Sequence, residues 1–202
     1  MRWTIRLFIL FMFAWAIFMV SPFVALYDLA KAVKAQDLAR VEERVNLRAV
    51  RLALSKQLVS EYLKSVGRGQ ELDGFNRNLA TSAGATIADP IVAQLVTPEA
   101  MMRLLNGSLP REVSGGTQAI PTGLPTDLGS LGTVWRTYIA SESRGFRSIV
   151  VPVPEGREKA QQFRLTLRLS GWSGGFTWRL TGVELPEPLL RELIRQLPRG
   201  TA

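Results

Sequence analysis

The chain has 202 residues, 47% hydrophobic and 21% charged, with a formal net charge of +8 at pH 7. It contains no Cys and no His, which removes disulfides, thiol nucleophiles, Cys/His zinc sites and any His general base. The basic excess has two locations: Arg2 and Arg6 at the start, and residues 130–202, where 11 basic side chains face 6 acidic ones, against 12 and 11 over residues 28–129.

Between Arg6 and Asp28 no residue is charged, and Leu7 to Val20 is almost wholly aliphatic or aromatic. A secretory leader would end in a small-x-small cleavage site. Here Phe18, Met19 and Val20 are bulky, and the first Ala-x-Ala beyond the apolar core is Ala30-Lys31-Ala32. Ser21-Pro22 reads instead as a cap and first position of a second helix. A first helix over Trp3–Val20 would then span roughly 27 Å at ~1.5 Å per residue, just enough for a hydrocarbon core of about 30 Å if Arg6 snorkels. Arg2, Trp3, Arg6 and Tyr27 suit the two membrane interfaces, and the leading arginines put the N-terminus on the cytoplasmic side, although Lys31 and Lys34 weaken that asymmetry. The expectation is an uncleaved single-pass anchor over residues 1–20 and an extracytoplasmic domain over 21–202. A cleaved leader is the alternative.

Leu26, Leu29, Ala30 and Val33 recur at helical spacing, so one face of the next helix is apolar. Asp37 is placed to cap a short helix carrying Leu38, Val41 and Val45. Asn46 is placed to cap a longer one whose Leu47, Val50, Leu54, Leu58, Tyr62 and Val66 line one face, before Gly67 and Gly69 stop it. Residues 70–84 read as a polar loop with a turn of helix near Phe75 and Leu79. Asp89-Pro90 and Thr97-Pro98-Glu99 start helices over 90–95 and 98–105. Residues 106–133 hold several Gly and Pro without apolar periodicity and read as a flexible loop.

The period then changes to two. Residues 134–140, 146–153, 162–170 and 176–184 read as strands. In the third, Phe163, Leu165, Leu167 and Leu169 oppose Arg164, Thr166 and Arg168; in the fourth, Phe176, Trp178 and Leu180 oppose Thr177, Arg179 and Thr181. That is an antiparallel sheet with one buried face. The β part spans 134–185 and a terminal helix falls within 186–197. The fold class is α+β: an N-terminal transmembrane helix, several helices over 22–105 packed on a C-terminal curved antiparallel sheet of about four strands, and a short final helix.

The run SPFVALYDLAKAVKAQDLARVEERVNLRAVRLALSKQL, with ADPIVAQLVTPEAMMRLL and FTWRLTGVELP, resembles a family of uncharacterised bacterial single-span inner-membrane or envelope proteins, classed only as a domain of unknown function. The resemblance covers about 21–105 and 134–187. It implies one membrane span with the domain outside the inner membrane, and it brings no catalytic residues. Asn46 stands where the family pattern has Asp, a change that keeps the cap. The element order is also similar to the nuclear-transport-factor-2/cystatin-like fold group, a likeness of order alone.

The main polar constellation is Arg136, Arg147, Arg164, Arg168 and Arg179 on the expected strands. Guanidinium forks on a rigid sheet suit a carboxylate or phosphate, lipid headgroups included. A solvated face whose charges pair with Glu142, Glu158 and Glu184 is the plainer account, and the favoured one. Nucleic-acid binding would need a stronger basic stripe and is not expected. Tyr27 and Lys31 have a Tyr-x-x-x-Lys spacing but no Gly-rich dinucleotide loop, so chance explains them better. Ser55-Lys56 and Ser60 with Lys64 fall on the polar side of a long helix. Asp28, Asp37, Glu42, Glu43, Asp73 and Asp89 are scattered or cap helices. Trp172, Phe176 and Trp178 near Gly174-Gly175 could rim a pocket, but core plus a hairpin turn fits them better. The sequence points to a non-catalytic binding or scaffolding module with the membrane and an envelope protein as partners and no cofactor. A carrier of an anionic or lipidic ligand comes next, then a hydrolase using carboxylates or a Ser–Lys pair.

Overall fold

A computed structural model describes residues 2–65, 89–106, 131–153, 158–171 and 177–196. The first helix, α1, runs Arg2–Lys34 without a break and carries Pro22 in its interior. The expected second start at Ser21-Pro22 is therefore corrected. Proline forfeits one backbone hydrogen bond and crowds the preceding turn, but strong apolar helix on both sides, with protein packed at this level, carries the helix through. Pro22 is itself buried. α1 then divides by exposure. Every position from Trp3 to Ile17 is exposed, whereas Phe23, Leu26, Leu29, Ala30 and Val33 belong to the core.

After the turn at Gln36, which adopts φ 55°, Asp37 caps α2 (Leu38–Arg44) by accepting from the Arg40 amide. The Asp28 carboxylate meets the Arg44 guanidinium at 2.8 Å and ties α1 to α2. Asn46 caps α3 (Leu47–Ser65) by accepting from the Ala49 amide, as the sequence implied. Val50, Leu54 and Leu58 on the expected face are buried. α4 (Asp89–Leu95) and α5 (Pro98–Leu105) follow, the latter capped by the Thr97 hydroxyl accepting from Ala100.

The expected first strand at 134–140 is instead helical. Residues Leu131–Ala140 form α6, and a two-residue strand β1 (Glu142–Ser143) takes the place beside the sheet. A seven-residue run such as VWRTYIA satisfies helical and strand spacing alike, so periodicity alone could not separate them. As a helix it carries Tyr138 to Phe23 of α1, with ring centroids 5.8 Å apart. The helix also takes in residues 131–133, which the sequence reading gave to the preceding loop.

The remaining strands are β2 (Ser148–Val153), β3 (Phe163–Ser170) and β4 (Thr177–Glu184), and the sheet is an antiparallel meander in the order β1-β2-β3-β4. A short 3-10 turn, Lys159–Gln161, precedes β3 and was not anticipated. Opposite β3, the register passes from Leu167↔Leu180 to Thr166↔Gly182, leaving Thr181 as an extra residue. This bulge bends β4 and lets both Leu180 and Val183 lie buried despite their odd spacing. α7 (Glu187–Gln196) ends the described chain. Leu residues of β3, Trp178 and Leu180 of β4, and the buried halves of α1 and α3 form one apolar core.

The free edge of β4 is closed by α2 and α3. Val45 bridges Leu180 in parallel, and the Asn46 amide donates to the Leu180 carbonyl at 2.8 Å. The Gln57 side chain both donates to the Leu185 carbonyl and accepts from the Leu185 amide, each at 3.0 Å. An edge covered this way cannot template another strand.

Candidate functional site

α1 leaves the domain between two grooves. One, of about 510 Å³, lies between Trp15, Phe18 and Met19 of α1 and Tyr138, Phe146 and Ile149 of the α6–β2 region. The other, of about 750 Å³, runs along Ile17, Val20 and Val24 on another side of the helix and reaches Tyr27, Asp28 and Arg44. Trp178 lines both and packs on Phe18 with ring centroids 6.3 Å apart. Its indole Nε1 is buried and has no hydrogen-bond partner among the described residues.

The first groove is walled by aromatic contacts. Phe146, in the turn between β1 and β2, meets Trp15 edge-on at 6.1 Å, and the Tyr138 hydroxyl donates to the Met19 sulfur at 3.7 Å. Ile139 and Phe146 are nevertheless 67% and 72% exposed, large apolar side chains standing out from a charged domain surface.

The five arginines do not converge. Arg136 lies on α6 and Arg147 in the turn before β2; neither is on a strand, and both are exposed. Arg164, Arg168 and Arg179 do project from the sheet face opposite the core, since their inward neighbours are the buried Leu165, Leu167, Trp178 and Leu180. Arg164, only 17% exposed, bridges two carboxylates. It contacts Glu142 closely and Glu184 at 3.3 Å, while Lys159 and Arg144 add contacts to the same two acids. The Arg164 and Lys159 charges hold the Glu142 carboxyl below its ordinary value. Pairing with Glu142 and Glu184, as the plainer sequence account has it, thus describes Arg164.

Arg168 and Arg179 behave differently. They are cross-strand partners, both exposed, and neither has an ion-pair partner among the described residues. Like charges directly opposite one another destabilise a sheet unless an anion or solvent screens them. None of the five arginines lines either groove.

The remaining candidates separate. Trp3 and Tyr27 are exposed on α1, as is Arg6. Ser55 is buried, at 3% exposure, rather than on a polar face, because α3 is packed by β4 on one side and by α4 and α7 on others. Lys64 pairs with Glu61 at 3.3 Å. Among the described residues no three acidic side chains gather to hold a metal ion. Trp172, Phe176, Gly174-Gly175 and Asp73 lie outside the described residues. The exposed pair Ile139 and Phe146 escaped sequence reasoning, since in a strand and hairpin they would have been core.

A family model described as Protein of unknown function (DUF2939) matches residues 11–104. The matched segment begins inside the apolar run of α1 and extends almost to the end of α5, overlapping the resemblance read over 21–105. No curated protein and no solved structure matches the chain.

Proposed function

We propose that this protein is a membrane-anchored, extracytoplasmic binding or scaffolding module without catalysis, held in a bacterial inner membrane with its domain on the periplasmic side. One observation carries the reading: α1 is a single helix, exposed from Trp3 to Ile17 and uncharged between Arg6 and Asp28, whose second half buries one face in the core. Cleavage at Ala30-Lys31-Ala32 would strip out Phe23, Leu26 and Leu29, each buried to 3% exposure or less. Burial of such side chains is worth about 1.5–3 kcal/mol apiece, so a leader removed there would take much of the domain's stability with it. Arg2 and Arg6 support a cytoplasmic N-terminus.

A continuous core flanked by an exposed apolar patch supports an interaction module over its rivals. An anionic-ligand carrier loses its support because Arg168 and Arg179 stand on the sheet face away from the core and line neither groove. The hydrolase reading has no cluster to build on: the only carboxylate among the described lining of the two grooves is Asp28, already paired with Arg44.

The test is to express the chain with a C-terminal tag, isolate membranes, measure intact mass and probe the tag with protease from the periplasmic side. Full-length mass with an accessible tag is expected. A soluble product short by about the first 20–32 residues would overturn the anchored reading.

A further inference from the structure

The domain sits too close to the exposed part of α1 to stand clear of a bilayer. The run Trp3–Ile17, exposed throughout, rises only about 22 Å at ~1.5 Å per residue, short of a hydrocarbon core of about 30 Å. The missing length is supplied by residues 18–22, where Phe18, Met19 and Ser21 are half-buried and Pro22 is buried against the domain. Beginning the core after Arg6 would draw the domain deeper still. Whatever flanks α1 at the level of Trp15 to Pro22 therefore lies at the depth of acyl chains and glycerol. Phe146, Ile139 and Tyr138 flank it there.

Charge is arranged to match. Arg136 is one turn from Ile139 on α6 and Arg147 adjoins Phe146, and both are exposed. Arg168 and Arg179 lie one residue from Leu169 and Trp178, the row of the sheet that meets Phe18. The acids Glu142 and Glu184 lie further along the sheet, beside Val150 and Arg164, and are already paired with Arg164, Lys159 and Arg144. The end nearest the exposed half of α1 thus carries arginines without ion-pair partners among the described residues, while Glu142 and Glu184 lie further off, each already in ion pairs.

We propose that Ile139 and Phe146 form a collar that seats the domain in the leaflet on its own side of an anionic phospholipid bilayer. Acyl chains fill the groove beside α1, and Arg136, Arg147, Arg168 and Arg179 meet lipid phosphates. The like-charged pair Arg168–Arg179 is then relieved by the anionic surface. This rests on the anchored reading and deepens it: the membrane is a binding partner of the folded domain as well as the medium of its anchor.

The chain has no Cys, so single substitutions accept a spin label without background. The full chain is reconstituted in vesicles of phosphatidylcholine and phosphatidylglycerol, with labels at Phe11→Cys, Ile139→Cys, Phe146→Cys and Arg195→Cys. Depth is read from collision with oxygen against a water-soluble nickel complex. All four sites are exposed, so the core is untouched. Labels at 139 and 146 are expected about 5–10 Å below the phosphates, the depth of interfacial apolar faces, with 195 in water and 11 deep in lipid. Omitting phosphatidylglycerol should move 139 and 146 toward water; unchanged depth would overturn the role given to the arginines. Lipid exposure at 11 with water at 139 and 146 would overturn the collar and leave the anchor standing. Immobilised labels at 139 and 146, shielded from both reagents, would mean a protein partner occupies the groove. Water at 11 would overturn the anchor and the collar together.

Discussion

Phe146 sets its ring nearly perpendicular to that of Trp15, with centroids 6.1 Å apart. Trp15 belongs to the exposed half of α1 and Phe146 to the turn of a hairpin. The contact therefore joins the sheet to the exposed part of the helix and not to its buried part. Pairs of this geometry are worth about 0.5–1.5 kcal/mol beyond the area they bury. Together with Tyr138 against Met19 and Phe23, it holds the domain at a fixed height on its helix.

The division of α1 into two halves predicts opposite responses to the same substitution. Leu29→Ala, at a site 1% exposed, should destabilise the domain by about 2–5 kcal/mol. Leu10→Ala, at a site 65% exposed, should leave the unfolding of the domain unchanged. Thermal unfolding of both variants in the same detergent checks this. Equal losses would mean that the upper half of the helix is also packed against protein.

Gln57 closes the edge of β4 through two hydrogen bonds to the backbone of Leu185. Gln57→Ala leaves a buried amide and carbonyl to find other partners, at a cost of about 1–3 kcal/mol. Hydrogen exchange at Leu185 should accelerate with that loss while exchange in β3 follows only the global stability.

Glu142 titrates below its ordinary value because of Arg164 first and Lys159 second. A depressed folded-state pKa contributes stability above the unfolded-state pKa, and that contribution disappears as pH falls through the folded value. Wild type should therefore exceed Glu142→Gln in stability at neutral pH, and the gap should close on acidification below the ordinary carboxylate range. Denaturant unfolding across pH, at low salt, measures the gap; a difference that persists in strong acid would point to a packing effect.

Arg179→Glu turns a like-charged cross-strand pair with Arg168 into an opposite one. In detergent without anionic lipid it should raise stability by about 0.2–1 kcal/mol, an effect that shrinks with added salt. The same change should weaken association with anionic vesicles, so stability and lipid attraction should move in opposite directions. Parallel movement would separate Arg179 from the lipid surface.

Several elements could be read along the chain because their causes are local. Asp37, Asn46 and Thr97 each accept a backbone hydrogen bond at the helix start where they were expected. The alternation of Phe163 through Leu169 against Arg164 and Arg168 gave both the strand and its buried face. Where local signals are balanced, tertiary packing decides. VWRTYIA fits a strand and a helix, and contact with Phe23 and Met19 of α1 goes with the helix. Ser21-Pro22 satisfies a helix start, yet packing across that point keeps α1 whole. Ser55 reads as polar surface, but α3 is enclosed on more than one side.

Composition and pattern established the apolar span, the α+β order and the sidedness of the sheet, because capping and the periodicity of apolar residues are set by positions close in sequence. Folding in three dimensions assigned the rest. It made half of α1 part of the core, paired Arg164 with Glu142 and Glu184 while leaving Arg168 opposite Arg179, and raised Phe146 and Ile139 beside the membrane-length helix. Each of these depends on distances between residues far apart in the chain, and side-chain charge or apolarity has no defined partner until those distances exist.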